Sequence, residues 1–407
     1  MKKYLESYKD APHWFNTLLI SWAIFGLNFG ITRVSYNLYL KSLGFNEKLA
    51  GYAAAAASIG SMLVAYKIGK WMDKNGVGKM ISIGLPLLGI FVIAKGFSTT
   101  QTTIIASSFF AGMIFRPLLH AFEPLLAIGK EKYANYRYTL GFVVGGIFQT
   151  AGSYLGGVIP LLINEKGNKE SFQIMYLILG IINILSYSIL KKLKNVHHSK
   201  KKEKSNTKFK ELLQVNNGLI AKYWIYHAPL ALGAGMSIPF MNLYLSNQIG
   251  LTNDQIGNAF SIQEFMLVVG YLIAPVLAKK TQSTITIAIL NFLSIPFLVI
   301  LAFTTNPTIA IFSFVARATL INATHPLGSR LLMEITPQEH RSKSLAVVGI
   351  IWALGWTIGP AISGVWIDTN QSYKEPFLFT SFLYLVSTII YYVFFKKIKF
   401  SEEKATQ

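Results

Sequence analysis

Asn37-Leu38-Tyr39-Leu40 recurs as Asn242-Leu243-Tyr244-Leu245, and each copy closes a long apolar run. A short loop with a glycine follows both, Leu43-Gly44-Phe45-Asn46 in the first and Ile249-Gly250-Leu251-Thr252 in the second. Each loop leads within a few residues to another glycine, Gly51 or Gly257, at the opening of the next apolar run. Two further pairs keep this register, slightly more than two hundred residues apart. Gly152-Ser153-Tyr154-Leu155-Gly156-Gly157 matches Gly359-Pro360-Ala361-Ile362-Ser363-Gly364, and Ala121-Phe122-Glu123-Pro124-Leu125 matches Ala323-Thr324-His325-Pro326-Leu327. One duplication with small loop insertions explains all three, so the chain should be two homologous halves.

The setting of the repeat says what those halves are made of. Of 407 residues, 52% are hydrophobic and 14% charged, where a soluble domain carries about a quarter charged. Mean hydropathy is +0.42. Apolar runs of about twenty residues, each enough to cross about 30 Å of hydrocarbon, follow one another along the chain. Twelve are expected, near 14–40, 49–71, 79–98, 102–127, 137–163, 172–191, 220–246, 255–278, 284–305, 308–332, 343–367 and 375–396. The fold class is therefore an all-α membrane protein of two pseudo-symmetric six-helix bundles. The expected organisation is 1–190 for the first bundle, 191–217 for a basic linker, 218–400 for the second bundle and 401–407 for a tail.

A net charge of +20 resembles a nucleic-acid signal until it is mapped onto these spans. About 29 of the 38 Lys and Arg fall on one side of the membrane and about 6 on the other. The positive-inside rule makes the rich side cytoplasmic, and twelve spans return both termini to it. The charge sets orientation in the cell membrane and does not imply a nucleic-acid partner. Residues 1–13 include Glu6 and Asp10 and lack a cleavage site, so the first span reads as retained. The chain has no cysteine, which excludes disulfides and thiolate sites. His197-His198 lies in the lysine-rich linker without carboxylate or Cys partners at ligand spacing, so no metal is expected.

Gly69-Lys70-Trp71-Met72-Asp73-Lys74-Asn75-Gly76-Val77-Gly78-Lys79 resembles the loop signature of the major facilitator superfamily, Gly-x-x-x-Asp-Arg/Lys-x-Gly followed by basic residues. Gly69, Asp73, Lys74, Gly76 and Lys79 match, while Val77 and Gly78 stand where basic residues are usual. The twelve spans, the midpoint linker and the repeat extend the resemblance over essentially the whole chain. Physically, the glycines should let a short loop reverse. Asp73 could accept from the positive N-terminal end of a neighbouring helix, plausibly span eleven, as a conformational latch. The alternative is a basic loop that only sets topology.

The span-five glycines Gly152, Gly156 and Gly157 resemble the antiporter signature of drug-exporting members, with Phe148 and Ser153 replacing its first Gly and its Pro. Gly355, Gly359, Pro360 and Gly364 in span eleven carry the pattern more fully. Small residues at this spacing allow close helix approach or bending, and packing alone explains them equally well.

Polar groups inside a membrane are costly and mark function. Arg116, His120 and Glu123 in span four fall on one helical face, and Arg116 resembles the span-four arginine of proton-coupled exporters. The three could pass a proton or form a static ion pair. The second set is Arg33, Gln149, Gln263, Glu264, Arg317, Asn322 and His325. The resemblance implies that spans one, four, seven and ten line a central cavity. Arg33, Glu264 and Arg317 lie at similar depth, with snorkelling to the outer interface as the alternative for the arginines. Glu264 is the preferred carboxylate for proton or cation coupling. Trp22, Phe25, Phe29, Tyr36, Tyr39, Trp352 and Trp356 are candidate pocket aromatics, with packing or lipid contact as the alternative.

The resemblance implies a monomeric secondary transporter working by alternating access in contact with lipids, without a cofactor. Its expected activity is proton-coupled efflux of small amphipathic organic molecules. A transporter of an organic anion or anionic lipid, using the intramembrane arginines, is the alternative. No metal-binding, nucleophile-elbow or nucleotide-binding motif speaks for an enzyme.

Overall fold

The repeated tyrosine does the same work in both halves. Tyr39 Oη donates to the carbonyl of Gly96 at 2.5 Å, and Tyr244 Oη donates to the carbonyl of Leu301 at 2.8 Å. In the loops that follow, Gly44 and Gly250 take φ of 83° and 79°, the left-handed region that glycine enters without strain. The duplication is thus visible as a tyrosine strap and a glycine turn, each made twice.

The computed structural model describes residues 6–8, 10–126, 128–130, 133–196, 215–337 and 340–398. The expected tail, 401–407, and most of the expected linker lie outside them. Among the described residues there is no strand, and twelve helices are long and apolar enough to cross a membrane. They are α1 (Phe15–Ser42), α2 (Glu47–Asn75), α3 (Val77–Phe97), α4 (Gln101–Leu126), α5 (Ala134–Ile163), α6 (Lys169–Leu185), α7 (Leu219–Ser237), α8 (Asn253–Lys280), α9 (Ser283–Phe303), α10 (Pro307–Ala323), α11 (Arg341–Asn370) and α12 (Lys374–Phe395). The seventh span turns through a 3₁₀ step at Ile238–Phe240, which contains Pro239, and resumes as Met241–Asn247. The tenth breaks at Thr324, before Pro326, and resumes as His325–Ile335. Proline explains both breaks, since it cannot donate to the helix ladder and clashes with the preceding turn.

The chain divides into two compact units. One takes in Met1–Lys200 with Thr252–Glu264, and the other Lys201–Leu251 with Phe265–Gln407. In the first, α1 and α5 touch backbone to backbone. A Cβ on Gly26 would come within 2.5 Å of the Gly145 carbonyl, and one on Gly152 within 2.4 Å of the Leu27 carbonyl. In the second unit α7 and α11 repeat the contact, with Gly235 against the Gly355 carbonyl and Gly359 against the Gly235 backbone. Gly156 meets Ile31, and Gly157 meets Asn253 and Gly257 at the start of α8. The glycine motifs of spans five and eleven are therefore close-approach points, as small residues at this spacing allow. Gly364 is buried.

The Gly69–Lys79 stretch corrects an expectation. It is not an open loop: α2 runs to Asn75, α3 starts at Val77, and the reversal is made by Gly76 alone, at φ 90°. Gly69 lies inside α2 with open space around it, so it makes no turn. Asp73 and Lys74 are exposed on the last turn of α2, and Lys79 donates to Asn75 Oδ1 at 3.2 Å.

Asp10 ties the N-terminal segment to the α4–α5 connection. It accepts from the Lys130 amide at 3.0 Å and pairs with Lys130 Nζ at 3.2 Å and Arg137 Nη1 at 3.4 Å. The Lys130 amide bond, more than the neighbouring cations, holds the Asp10 carboxyl below its usual range. A lowered carboxyl pKa stabilises the tie at pH above the ordinary value of 3.8, and the gain is lost as pH falls through the folded value. Asp10→Asn should accordingly speed hydrogen exchange at the Lys130 amide at neutral pH, while the difference from wild type shrinks toward acid. Equal exchange at neutral pH would show that Asp10 does not hold the connection.

Candidate functional site

The first unit holds a four-residue polar cluster where α1, α5 and α8 meet. Arg33 Nη1 is ion-paired with Glu264 Oε1, and Arg33 Nη2 donates to Gln263 Oε1 at 3.1 Å. Gln149 Nε2 donates to Glu264 Oε2 at 2.7 Å, so both carboxylate oxygens are engaged. Glu264 is 5% exposed and Gln263 fully buried. The Arg33 guanidinium sits over the Phe260 ring at 5.5 Å and the Phe29 ring at 5.9 Å, a placement that favours a cation. Helical spacing builds this arrangement: Phe29 and Arg33 are four residues apart, as are Phe260 and Glu264, so each pair shares a face. Arg33 therefore turns to a carboxylate. Gln263 Nε2 is buried without a hydrogen-bond partner, leaving a donor aimed into the cluster.

An aromatic run leads to this cluster. Phe122 meets Trp22 at 4.4 Å and Phe25 at 5.5 Å, Phe25 stacks on Phe115 at 5.0 Å, and Phe115 meets Phe29 at 5.3 Å. Phe29 then lies beneath Arg33. Arg116 follows Phe115 on α4 and is half-buried, while His120 and Glu123 are exposed. His120 lies within electrostatic reach of Glu123 and Arg116. No ion pair or hydrogen bond of Arg116 forms among the described residues. Pro117 and Pro124 interrupt the α4 ladder beside these residues.

In the second unit Arg317 is 1% exposed and lies within electrostatic reach of Tyr384. Nearby on the seventh, tenth and eleventh spans is a group that searching for charges did not find. His227 Nδ1 accepts from Trp352 Nε1 at 3.2 Å. Tyr223 and Tyr226 hold the imidazole between them, each ring centroid 4.6 Å away. His325 pairs with Asn322 Oδ1 at 3.2 Å and faces Trp352 at 6.5 Å. The available signal was Tyr223, Tyr226 and His227 at helical spacing. Lys95 was missed in the same way: it reads as an outer-face charge, yet its ammonium lies 3.4 Å from the Tyr36 ring centroid. Among the described residues no group of three His, Cys, Asp or Glu could hold a metal.

Twelve membrane helices in two sequence-related units, with charged groups buried inside them, define an integral multi-pass membrane protein of the transporter kind. The chain belongs to the major facilitator superfamily, whose family model matches residues 18–231 and 223–407. Multidrug resistance protein 2 of Bacillus subtilis (strain 168) is 23% identical over 405 residues, covering 95% of each chain. Among solved structures, a bacterial homolog of the human lysosomal transporter Spinster superposes with a TM-score of 0.76 at 13% identity, covering 96% of this chain and 99% of that one. The nucleoside transporter NupG, as its D323A mutant, gives 0.75 at 14% identity over 93% and 98%. At these identities the structures attest the fold. The family is one of secondary transporters, and the chain is a transporter, not an enzyme.

Proposed function

We propose that the protein is a proton-coupled exporter of small amphipathic organic molecules in the cell membrane, with both termini cytoplasmic. The observation that carries this reading is the buried Arg33–Glu264 pair closed by Gln149. A carboxylate held inside a membrane domain is costly unless it is used. Protonating Glu264 removes the charge that Arg33 and Gln149 hold, and so changes which arrangement of α1, α5 and α8 is favoured. The aromatic run from Phe122 to Phe29 suits an amphipathic cargo whose polar end approaches Arg33. The relative named Multidrug resistance protein 2, at 23% identity, supports export as the direction of transport. Asp73, on the exposed turn before Gly76, serves in this reading as the latch between conformations.

Arg116 is the second proton-sensitive element in this scheme, acting with His120 and Glu123. Arg116→Ala should reduce protonophore-sensitive dye efflux from cells by about tenfold, equivalent to about 1.4 kcal/mol. Efflux that stays at the wild-type level and remains protonophore-sensitive would remove Arg116 from the scheme. The half-buried Arg116, without an ion pair among the described residues, also favours a second reading: transport of an organic anion or anionic lipid. In that case Arg33→Ala or Arg317→Ala abolishes anion transport and spares cationic dyes.

A further inference from the structure

We infer that the second unit carries a recognition subsite for a neutral hydrogen-bond acceptor, such as a carbonyl oxygen on a flat aromatic molecule, with His227 as the donor. This rests on the transporter reading and specifies its cargo.

Accepting from Trp352 leaves Nδ1 of His227 without a proton, so the ring is neutral and its hydrogen is on Nε2. That Nε2–H is buried without a hydrogen-bond partner, in a residue 8% exposed. Leaving such a donor unmade is costly, and a group of this kind calls for an explanation. Around it stand the rings of Tyr223, Tyr226 and Trp352, which offer flat apolar faces. The half-buried Trp352 lies between the buried His227 and the exposed His325, which provides a graded path inward.

The charge of the surroundings selects the ligand. The described acids of this unit, Glu334, Asp368 and Glu375, lie at or near the ends of its spans, so no carboxylate competes for the donor. A neutral imidazole in an aromatic shell binds a neutral carbonyl at no cost in buried charge, whereas a carboxylate would enter without a cation to balance it. Stacking against Tyr223 and Trp352 supplies affinity, and the Nε2–H supplies the discrimination that a polar site gives when its partner is missing.

The test uses two tricyclic probes of nearly equal size, xanthone, which has the carbonyl, and xanthene, which lacks it. Binding to the purified full-length protein in detergent is measured by calorimetry. Wild type should prefer xanthone by at least tenfold. His227→Phe keeps a ring of similar bulk and should abolish the preference, while His227→Gln, which retains an N–H donor, should keep part of it. Equal affinity for the two probes, binding of neither, or a preference that survives His227→Phe in folded protein would overturn the proposal. If His227→Phe does not fold, His227→Leu takes its place: loss of the preference in that folded variant supports the proposal, and an unchanged preference overturns it. Because binding is measured without transport, a preserved preference in a protein that moves no dye would count against the exporter reading alone.

Discussion

Glu264→Gln should convert uphill, pH-dependent efflux into downhill movement that no longer responds to the proton gradient. The carboxylate accepts from Arg33 on one oxygen and Gln149 on the other. Glutamine keeps the shape and one acceptor but cannot take up or release a proton. Uphill efflux should fall at least tenfold, while counterflow of dye down its own gradient persists. Arg33→Ala should be worse for the protein itself. It leaves a carboxylate 5% exposed without its cation, and removing one partner of a buried pair costs about 3–5 kcal/mol. The double variant, Arg33→Ala with Glu264→Gln, should regain much of that stability because no unpaired charge remains. Thermal unfolding of the three variants reads the coupling. A double variant no more stable than Arg33→Ala would mean the pair contributes nothing, and unchanged pH dependence in Glu264→Gln would remove the carboxylate from the mechanism.

The fold was legible because membrane insertion writes its demands in long segments. Twelve apolar runs give twelve helices within a few residues, and the repeated Asn-Leu-Tyr-Leu marks the equivalence that Tyr39 and Tyr244 show, each within its own unit. Arg33, Gln149 and Glu264 were legible for a related reason, since a charge inside hydrocarbon stands out against its neighbours. What stayed hidden depended on direction. Lys95 near a helix end reads as an outer-face charge, and only the backbone shows that it turns back over Tyr36. His227 is one ring among several in Tyr223-Trp224-Ile225-Tyr226-His227, and its importance appears only when Trp352, from a distant segment, occupies Nδ1. The Gly69–Lys79 loop misled because a motif of turn residues was read as a turn. Helix propensity across Lys70-Trp71-Met72-Asp73-Lys74 carries α2 to Asn75, and a single glycine does the reversing.

Gly30→Ala should damage stability and transport together, although it adds only one methyl group. A Cβ at position 30 would lie 2.2 Å from the Gln149 carbonyl oxygen, 2.6 Å from the Ser153 nitrogen and 2.9 Å from the Gly152 carbonyl carbon. All three are backbone atoms of α5, so no side chain can swing aside, and α1 must move off α5 by about 1 Å to restore contact distance. Overpacking of this kind costs about 1–3 kcal/mol and occasionally more. The displacement also has a chemical consequence. Arg33 is one turn from Gly30 on α1, and Gln149 is the residue on α5 that would be pushed away, so the two ligands of Glu264 separate. Transport should fall even at temperatures where the variant remains folded, and the pH dependence should weaken as in Glu264→Gln. Gly69→Ala is the control, because that glycine sits within α2 with nothing near its Cβ position. There the same substitution should stabilise by about 0.5–1 kcal/mol through helix propensity and leave transport intact. If Gly30→Ala unfolds and transports like the wild type, the α1–α5 contact is looser than the backbone distances require. The idea that packing at Gly30 holds the Glu264 site together would then fail.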